Sequence, residues 1–300
     1  MYLEQVKNFK AHPILYFVLP IAFLLLMVVN YIFSMGIDTN EVIKQTIVKM
    51  GVNGTFILMI FPLAIGLFVV WFWVKFVQGQ SIRSLTTSRN KVDFKRIFFS
   101  FFLWASITVV MTFIAYYAEP ENFVFNFKSQ KFLVFLVIAI ILIPLQTSFE
   151  EYLFRGNLMQ GLALVTKSRI IALLIPAVIF GLMHLANPEV GKIGPVIMIY
   201  YIGTGLFLGI LTLMDEGLEL ALGFHAANNL IGALLVTADW TAFQTHSIFK
   251  DVSEPSGSFE IIIPIFIIFP ILLFIFSKVY KWNNWKEKLL GTISPNQSNS

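Results

Sequence analysis

The sequence predicts an all-α fold: a polytopic membrane helix bundle of about eight transmembrane helices, with both termini on the cytoplasmic side. Three observations predict it. Of the 300 residues, 57% are hydrophobic and only 13% charged, with 32 Phe, which is more apolar surface than one soluble core can bury. Apolar runs of bilayer-crossing length, roughly 20 residues, recur at about 14–35, 55–77, 97–118, 132–153, 170–186, 195–214, 218–236 and 260–279. Finally, alternating outward from a cytoplasmic N-terminus, the inner connections and tails hold the larger share of the Lys and Arg residues, the bias that cytoplasmic loops carry.

The elements follow in order. No A-x-A-like cleavage site follows the first span, so it reads as a retained signal anchor behind a short tail, residues 1–12. The second span ends at Lys75, placed to snorkel to the interface. The polar, basic stretch from Gln78 to Arg96 reads either as an interfacial helix or as a solvated loop. Pro144 in the fourth span is expected to kink that helix and free backbone groups above an acidic pair. Gly205 and Gly209 in the sixth span form a small-xxx-small packing pair. Asp215, Glu216 and Glu219 make an acidic turn expected to be solvated, Thr237 to Glu260 reads as an outer loop, and Gly291 to Ser300 as a disordered tail.

The whole chain, 1–300, thus reads as a single integral membrane domain. Its zero Cys excludes disulfides, thiolate metal sites and Cys nucleophiles. The net charge of +4 sits on loops rather than on one face of a soluble module, so no nucleic acid partner is expected; lipid headgroups are the anionic neighbours.

Ionisable residues inside apolar runs carry the functional signal. Glu150, Glu151 and Arg155 lie in the fourth span, His184 in the fifth and His225 in the seventh, with Asn229 one turn beyond. Each such group costs roughly 2.5 kcal/mol or more in a bilayer, so it faces protein or a wet cavity. Positions four apart share a helix face. Glu151 therefore pairs with Arg155, an arrangement that could also serve only to fix helix register, while Glu150 points elsewhere and has no such partner in its own helix. Phe180 shares a face with His184, and His225 with Asn229, across Ala226 and Ala227, which permit close helix approach. Asn228 could stand in for Asn229. Two imidazoles, a free carboxylate and a carboxamide can together activate water and receive an oxyanion. His12 and His246 read as surface histidines. One depth does not match: at about 1.5 Å per residue, Glu150 and His225 both fall near the cytoplasmic side, whereas His184 on a straight fifth span falls roughly 21 Å above its inner start.

The three blocks Glu150-Glu151-x-x-x-Arg155, Phe180-x-x-x-His184 and His225-x-x-x-Asn229, in this order and within hydrophobic spans, resemble the CAAX-processing and bacteriocin-processing (CPBP or Abi) family of intramembrane endopeptidases. The resemblance covers roughly 130–236, the expected catalytic core, with no departure at a fixed position. It implies a hydrolase that cleaves a peptide bond of a membrane-associated peptide or protein. Glu150 would be the general base, His184 would hold the water or shuttle its proton, His225 and Asn229 would stabilise the oxyanion, and Arg155 with Glu151 would position the site. The family is commonly called a metalloprotease group, and Glu150, His184 and His225 would suit Zn2+ with one open position for water. A metal-free glutamate and histidine mechanism is the other account, and the H-E-x-x-H signature of soluble zinc proteases is absent. A multi-pass protein of the bacterial plasma membrane is expected. A proton- or cation-coupled transporter using the same residues is the alternative, against which stands the lack of paired inverted halves with matching broken helices. An inactive scaffold or immunity protein is a third class. Substrate identity and oligomeric state are not written in the chain.

Overall fold

A computed structural model of the protein describes residues 1–255 and 259–293. Polar caps set several of the helix starts. After a 3-10 turn at Tyr2–Asn8 and α1 (Leu15–Ser34), the Asp38 carboxylate accepts from the amides of Asn40 and Glu41 and opens α2 (Thr39–Phe72), which continues as a π-helical turn at Trp73–Val77. Ser81 caps the short α3 (Ile82–Thr86), and Asp93 caps α4 (Phe94–Ala118). Next come α5 (Ser129–Glu151), a second π-helical turn at Tyr152–Leu158, and α6 (Met159–Thr166). Ser168 caps α7 (Arg169–Leu182), followed by α8 (Pro188–Ile193), α9 (Ile197–Asp215) and α10 (Glu219–Leu235). The chain closes with α11 (Phe259–Ile263), a π-helical turn at Pro264–Ile268, α12 (Phe269–Val279) and α13 (Trp285–Leu290).

Each of the eight expected spans coincides with a helix over most of its length. Among the described residues, six helical stretches are long and apolar enough to cross a membrane: Leu15–Ser34, Thr39–Val77, Phe94–Ala118, Ser129–Thr166, Ile197–Asp215 and Ile261–Val279. Large apolar side chains such as Leu25, Phe33, Phe72, Phe102 and Ile114 point outward from them, as lipid-facing residues do. The fifth and seventh expected spans are shorter. The helix α7 has 14 residues and ends before His184, so the straight 170–186 span assumed for its depth does not exist.

Other expectations are corrected. The helix α5 runs unbroken through Pro144, and the irregularity comes about two turns later, where the ladder widens to π geometry at Tyr152–Leu158. The Gln78–Arg96 stretch is neither an interfacial helix nor a solvated loop: Gln78, Gln80, Ser84, Thr86 and Thr87 are buried, and Thr87 pairs with Gly217 as a β-bridge. The turn at Asp215 and Glu219 is likewise buried rather than solvated. Arg89 meets Asp215 at 3.0 Å and Glu219 at 3.1 Å, and Arg96 also pairs with Asp215. Opposite charges on the two loops allow both to be buried, since each carboxylate keeps a cationic partner. The outer loop holds two strands, β2 (Val236–Ala238) and β3 (Phe249–Asp251). With β1 (Phe123–Phe125) they form a small sheet, β3 lying between an antiparallel β1 and a parallel β2. Ser256, Gly257 and Ser258 of that loop, and residues 294–300 of the tail, lie outside the described residues.

Packing places the expected site residues at the centre. The helix α10 packs against α4 and α5, α7 against α9, and α2 against α5. Two glycines make the closest approaches possible. A Cβ at Gly223 would sit 2.1 Å from the carbonyl oxygen of Ile97 on α4, and one at Gly205 would sit 2.6 Å from that of Ala177 on α7. The latter bears out the packing role expected for Gly205. Aromatic residues fill the gap behind α10, with Phe207 and Phe269 stacked at 4.3 Å and Trp104 over Phe224 at 4.6 Å.

Candidate active site

The end of α5 and the π-helical turn after it present the acidic and basic residues. Glu151 and Arg155 are fully buried and bonded, Nη1 to Oε1 at 2.9 Å, as their spacing predicts. The π turn bends this pair toward neighbours on other elements, in keeping with the frequent occurrence of such insertions at functional sites. Arg155 Nη2 donates to the carbonyl of Gly205 at 3.2 Å, available because residue 205 lets α9 come close. The guanidinium also lies 4.3 Å from the centre of the Phe180 ring, a cation–π contact from α7. From the N-terminal turn, the Tyr2 hydroxyl reaches the carbonyls of Leu85 at 2.7 Å and Arg155 at 3.2 Å.

His225, on α10, bridges the two glutamates. Its Nδ1 lies 2.8 Å from Glu151 Oε1, and its Nε2 faces Glu150 Oε2 at 3.5 Å. An ionised carboxylate can only accept, so Nδ1 carries the proton and Nε2 is presented to Glu150. Glu151 Oε1 thus serves Arg155 and His225 together.

Glu150 also has a partner that spacing alone had not assigned. Gln146, one turn earlier in α5, donates Nε2 to Glu150 Oε1 at 2.6 Å. Its own carbonyl accepts from Asn229 Nδ2 at 3.3 Å. Asn228 extends the chain of amides, donating to Asn229 Oδ1 at 3.1 Å and accepting from Trp104 Nε1 at 3.1 Å. Asn228 therefore braces Asn229 rather than replacing it. The i,i+4 relation of Gln146 to Glu150 was the available signal for Gln146; nothing in the spacing pointed to Trp104.

His184 occupies the turn after α7. Its Nδ1 is 2.7 Å from the carbonyl oxygen of Phe180, so it donates there and Nε2 stays free. The ring stacks on Tyr201 of α9 at 4.3 Å. Phe180 separates the two histidines, its ring 5.0 Å from that of His184 and 5.7 Å from that of His225. The length of α7 does not change the expected depth, since its 14 residues still rise roughly 21 Å; it is the shared contact with Phe180 that places both histidines beside one cavity. Among the described residues no hydrogen bond or ion pair joins His184 to Glu150 or His225. All of them, with Asn229, line one cavity of about 1180 Å³, whose far wall is apolar and comes from α1 and α2, including Phe23, Leu63 and Gly66.

The donor chemistry of Glu150, His184 and His225 suits zinc, but their arrangement does not. Among the described residues no three His, Asp or Glu side chains are grouped as a metal site requires, and both oxygens of Glu150 already face Gln146 and His225.

Helices long and apolar enough to cross a membrane, enclosing a cavity lined by carboxylate, imidazole and amide groups, define an integral multi-pass membrane protein with a buried polar centre. Residues 129–231 match the family described as Rce1-like, type II CAAX prenyl endopeptidase, and this region contains every one of the expected site residues. The resemblance carried by the three sequence blocks is borne out over that range. The chain is also 32% identical over 169 residues to a Bacillus subtilis (strain 168) protein described as uncharacterized protein YyaK, an alignment covering 56% of each chain. The chain thus spans little more than half the length of that curated relative. No solved structure matches the chain.

Proposed function

We propose that this protein is an intramembrane endopeptidase that hydrolyses a peptide bond of a membrane-associated peptide or protein, using water activated by Glu150. The observation that carries the reading is the placement of Glu150 on the cavity, held by Gln146 on one oxygen and facing His225 Nε2 with the other. Water entering beside Glu150 loses a proton to the carboxylate as it attacks the carbonyl carbon. His225, held by Glu151 and so by Arg155, keeps a proton on Nδ1; with a second proton on Nε2 it donates from that nitrogen to the developing oxyanion, and Asn229 adds its amide N–H. One such donor is worth about 3 kcal/mol in the transition state. His184, with Nε2 free on the same cavity, holds the water or passes the proton from Glu150 to the departing amine.

The transporter alternative draws on the same residues, but the CAAX endopeptidase match covers the three motif blocks and supports hydrolysis. The relative from Bacillus supports a bacterial plasma membrane setting, and the membrane-crossing helices and the endopeptidase match support lipids and a peptide substrate as the partners.

The test is Glu150→Gln. Glutamine keeps the size and the contact with Gln146 but cannot take a proton, so cleavage should fall roughly 100- to 10,000-fold while the variant inserts and melts as wild type does. Comparing membrane proteomes of cells expressing the two forms identifies substrates as fragments that vanish together. Undiminished cleavage of such a substrate by the purified variant refutes the assignment, and substrate-driven ion flux in liposomes would favour the transporter.

A further inference from the structure

Glu189 is a half-buried carboxylate that no cation among the described residues neutralises. Its counterparts all have partners: Glu151 pairs with Arg155, Asp215 with Arg89 and Arg96, Glu219 with Arg89, and Glu150 faces His225. Among the described residues, Glu189 takes part in no ion pair. Its Oε1 accepts from the amide of Ala242 at 2.9 Å, tying α8 to the loop between β2 and β3. Its Oε2 is closed off from solvent and makes no hydrogen bond among the described residues, so the carboxylate must turn toward the cavity to meet a cation. Such an oxygen carries an uncompensated desolvation cost, and a cation is the partner that offsets it most fully.

The surroundings narrow what that cation is. Glu189 lines the same cavity as Glu150, His184 and His225, five residues beyond His184 in the chain, and no Lys or Arg lines that cavity. Tyr201, whose ring stacks on His184, lies within electrostatic reach of Glu189 and links the two positions. The protein itself therefore supplies carboxylates to the cavity and leaves the positive charge to whatever enters it.

We infer that Glu189 is a specificity residue that receives the ammonium or guanidinium group of the substrate peptide, selecting peptides with a basic group within a few residues of the cleaved bond. This rests on the endopeptidase reading above and adds the substrate class. Burial, the larger influence, pushes the Glu189 carboxyl above the ordinary carboxylate range against the opposing hydrogen bond from Ala242, which is the condition of a carboxylate without its counterion.

The test uses the full-length protein in lipid nanodiscs and a set of N-acetylated fluorescent peptides identical except for Lys, norleucine or Glu at one position. A second set has free amino termini. Binding is read by anisotropy and cleavage by product formation, each on its own. Wild type should bind the best Lys peptide roughly tenfold more tightly than its norleucine twin. In Glu189→Gln that ratio should fall to about one, and Glu189→Lys should favour the Glu peptide. Glutamine still accepts from Ala242, so the loop attachment survives and only the charge is removed. If the preference follows the free amino terminus and disappears in Glu189→Gln, the cation received is the peptide amine. The inference is overturned if wild type shows no preference for positive charge, or if Glu189→Gln retains it. Should that variant fail to insert, a pH series on wild type decides: a Lys preference that stays unchanged as pH falls through the raised Glu189 value overturns the inference, and one that fades supports it. Binding preference without Glu150-dependent cleavage would count against the endopeptidase reading alone; cleavage without charge preference would count against Glu189 alone.

Discussion

His225 and Glu151 are 74 positions apart in the chain, yet Nδ1 of the one lies 2.8 Å from Oε1 of the other in the buried centre of the bundle. The same carboxylate oxygen holds Arg155 at 2.9 Å, so a single atom anchors an ion pair and sets the tautomer of the imidazole opposite Glu150.

Glu151→Gln tests that anchoring. An amide lacks the charge that holds a proton on Nδ1 while Nε2 carries a second one, so the doubly protonated ring that donates to the oxyanion is lost. Turnover on an identified substrate should drop roughly 100- to 10,000-fold, with a smaller change in KM and a shifted pH profile. Equal losses in thermal stability and turnover, without a change in the pH profile, would instead mark Glu151 as purely structural.

Arg155 should matter first to stability. Arg155→Met leaves Glu151 buried without a cation and is expected to cost about 3–5 kcal/mol, read as a lower melting temperature in detergent. Adding Glu151→Leu removes the orphaned charge and should recover much of the loss while activity stays absent. A double variant no more stable than the single one would show that the Phe180 and Gly205 contacts of Arg155 dominate.

Gln146 was identified only by its contacts. Gln146→Leu strips the hydrogen bond from the Glu150 carboxylate and frees Asn229, so kcat should fall roughly 10- to 100-fold, the value of a bond to a charged group. Unaltered kcat would demote Gln146 to packing.

Glu189 gives a pH dependence whose sign is fixed by its burial. Only the ionised carboxylate attracts a cationic peptide, so the preference for Lys over norleucine should be full at high pH and fade as pH falls through the raised Glu189 value, earlier than for an exposed glutamate. Stability runs the other way. A carboxyl raised by folding contributes most when protonated, and that contribution is lost as pH rises through the folded value. Glu189→Gln should flatten both curves, which paired binding and melting series would show.

Because the zinc-type donors are not grouped, prolonged treatment with a chelator is expected to leave cleavage intact. Activity lost on chelation and restored by one equivalent of zinc would mean that His184 swings toward Glu150 and His225 when substrate or metal binds.

Relations within one helix were readable from spacing. Glu151 with Arg155 is an i,i+4 pair and forms as expected, and Gly205 packs as a small residue should. Relations between elements were not. The apolar run through His184 looked like a straight span, but the chain turns after Leu182, and the turn that carries His184 toward Phe180 and Tyr201 has no signature in the hydropathy. The Gln78–Arg96 and Asp215–Glu219 stretches looked solvated because each is polar alone; their complementary charges bury them only when they meet. Gln146 escaped notice because an amide in an apolar run carries no charge to draw attention.

Hydropathy and residue spacing alone pointed to a membrane-embedded helical protein and to the three blocks proposed to carry its chemistry, since both depend on neighbours along the chain. Which imidazole nitrogen faces which carboxylate, the widened turn that presents Arg155 to Gly205 and Phe180, and the solitary charge of Glu189 emerged only with the packed helices. Such relations depend on side chains brought together across long stretches of sequence by close packing, and no local periodicity encodes them.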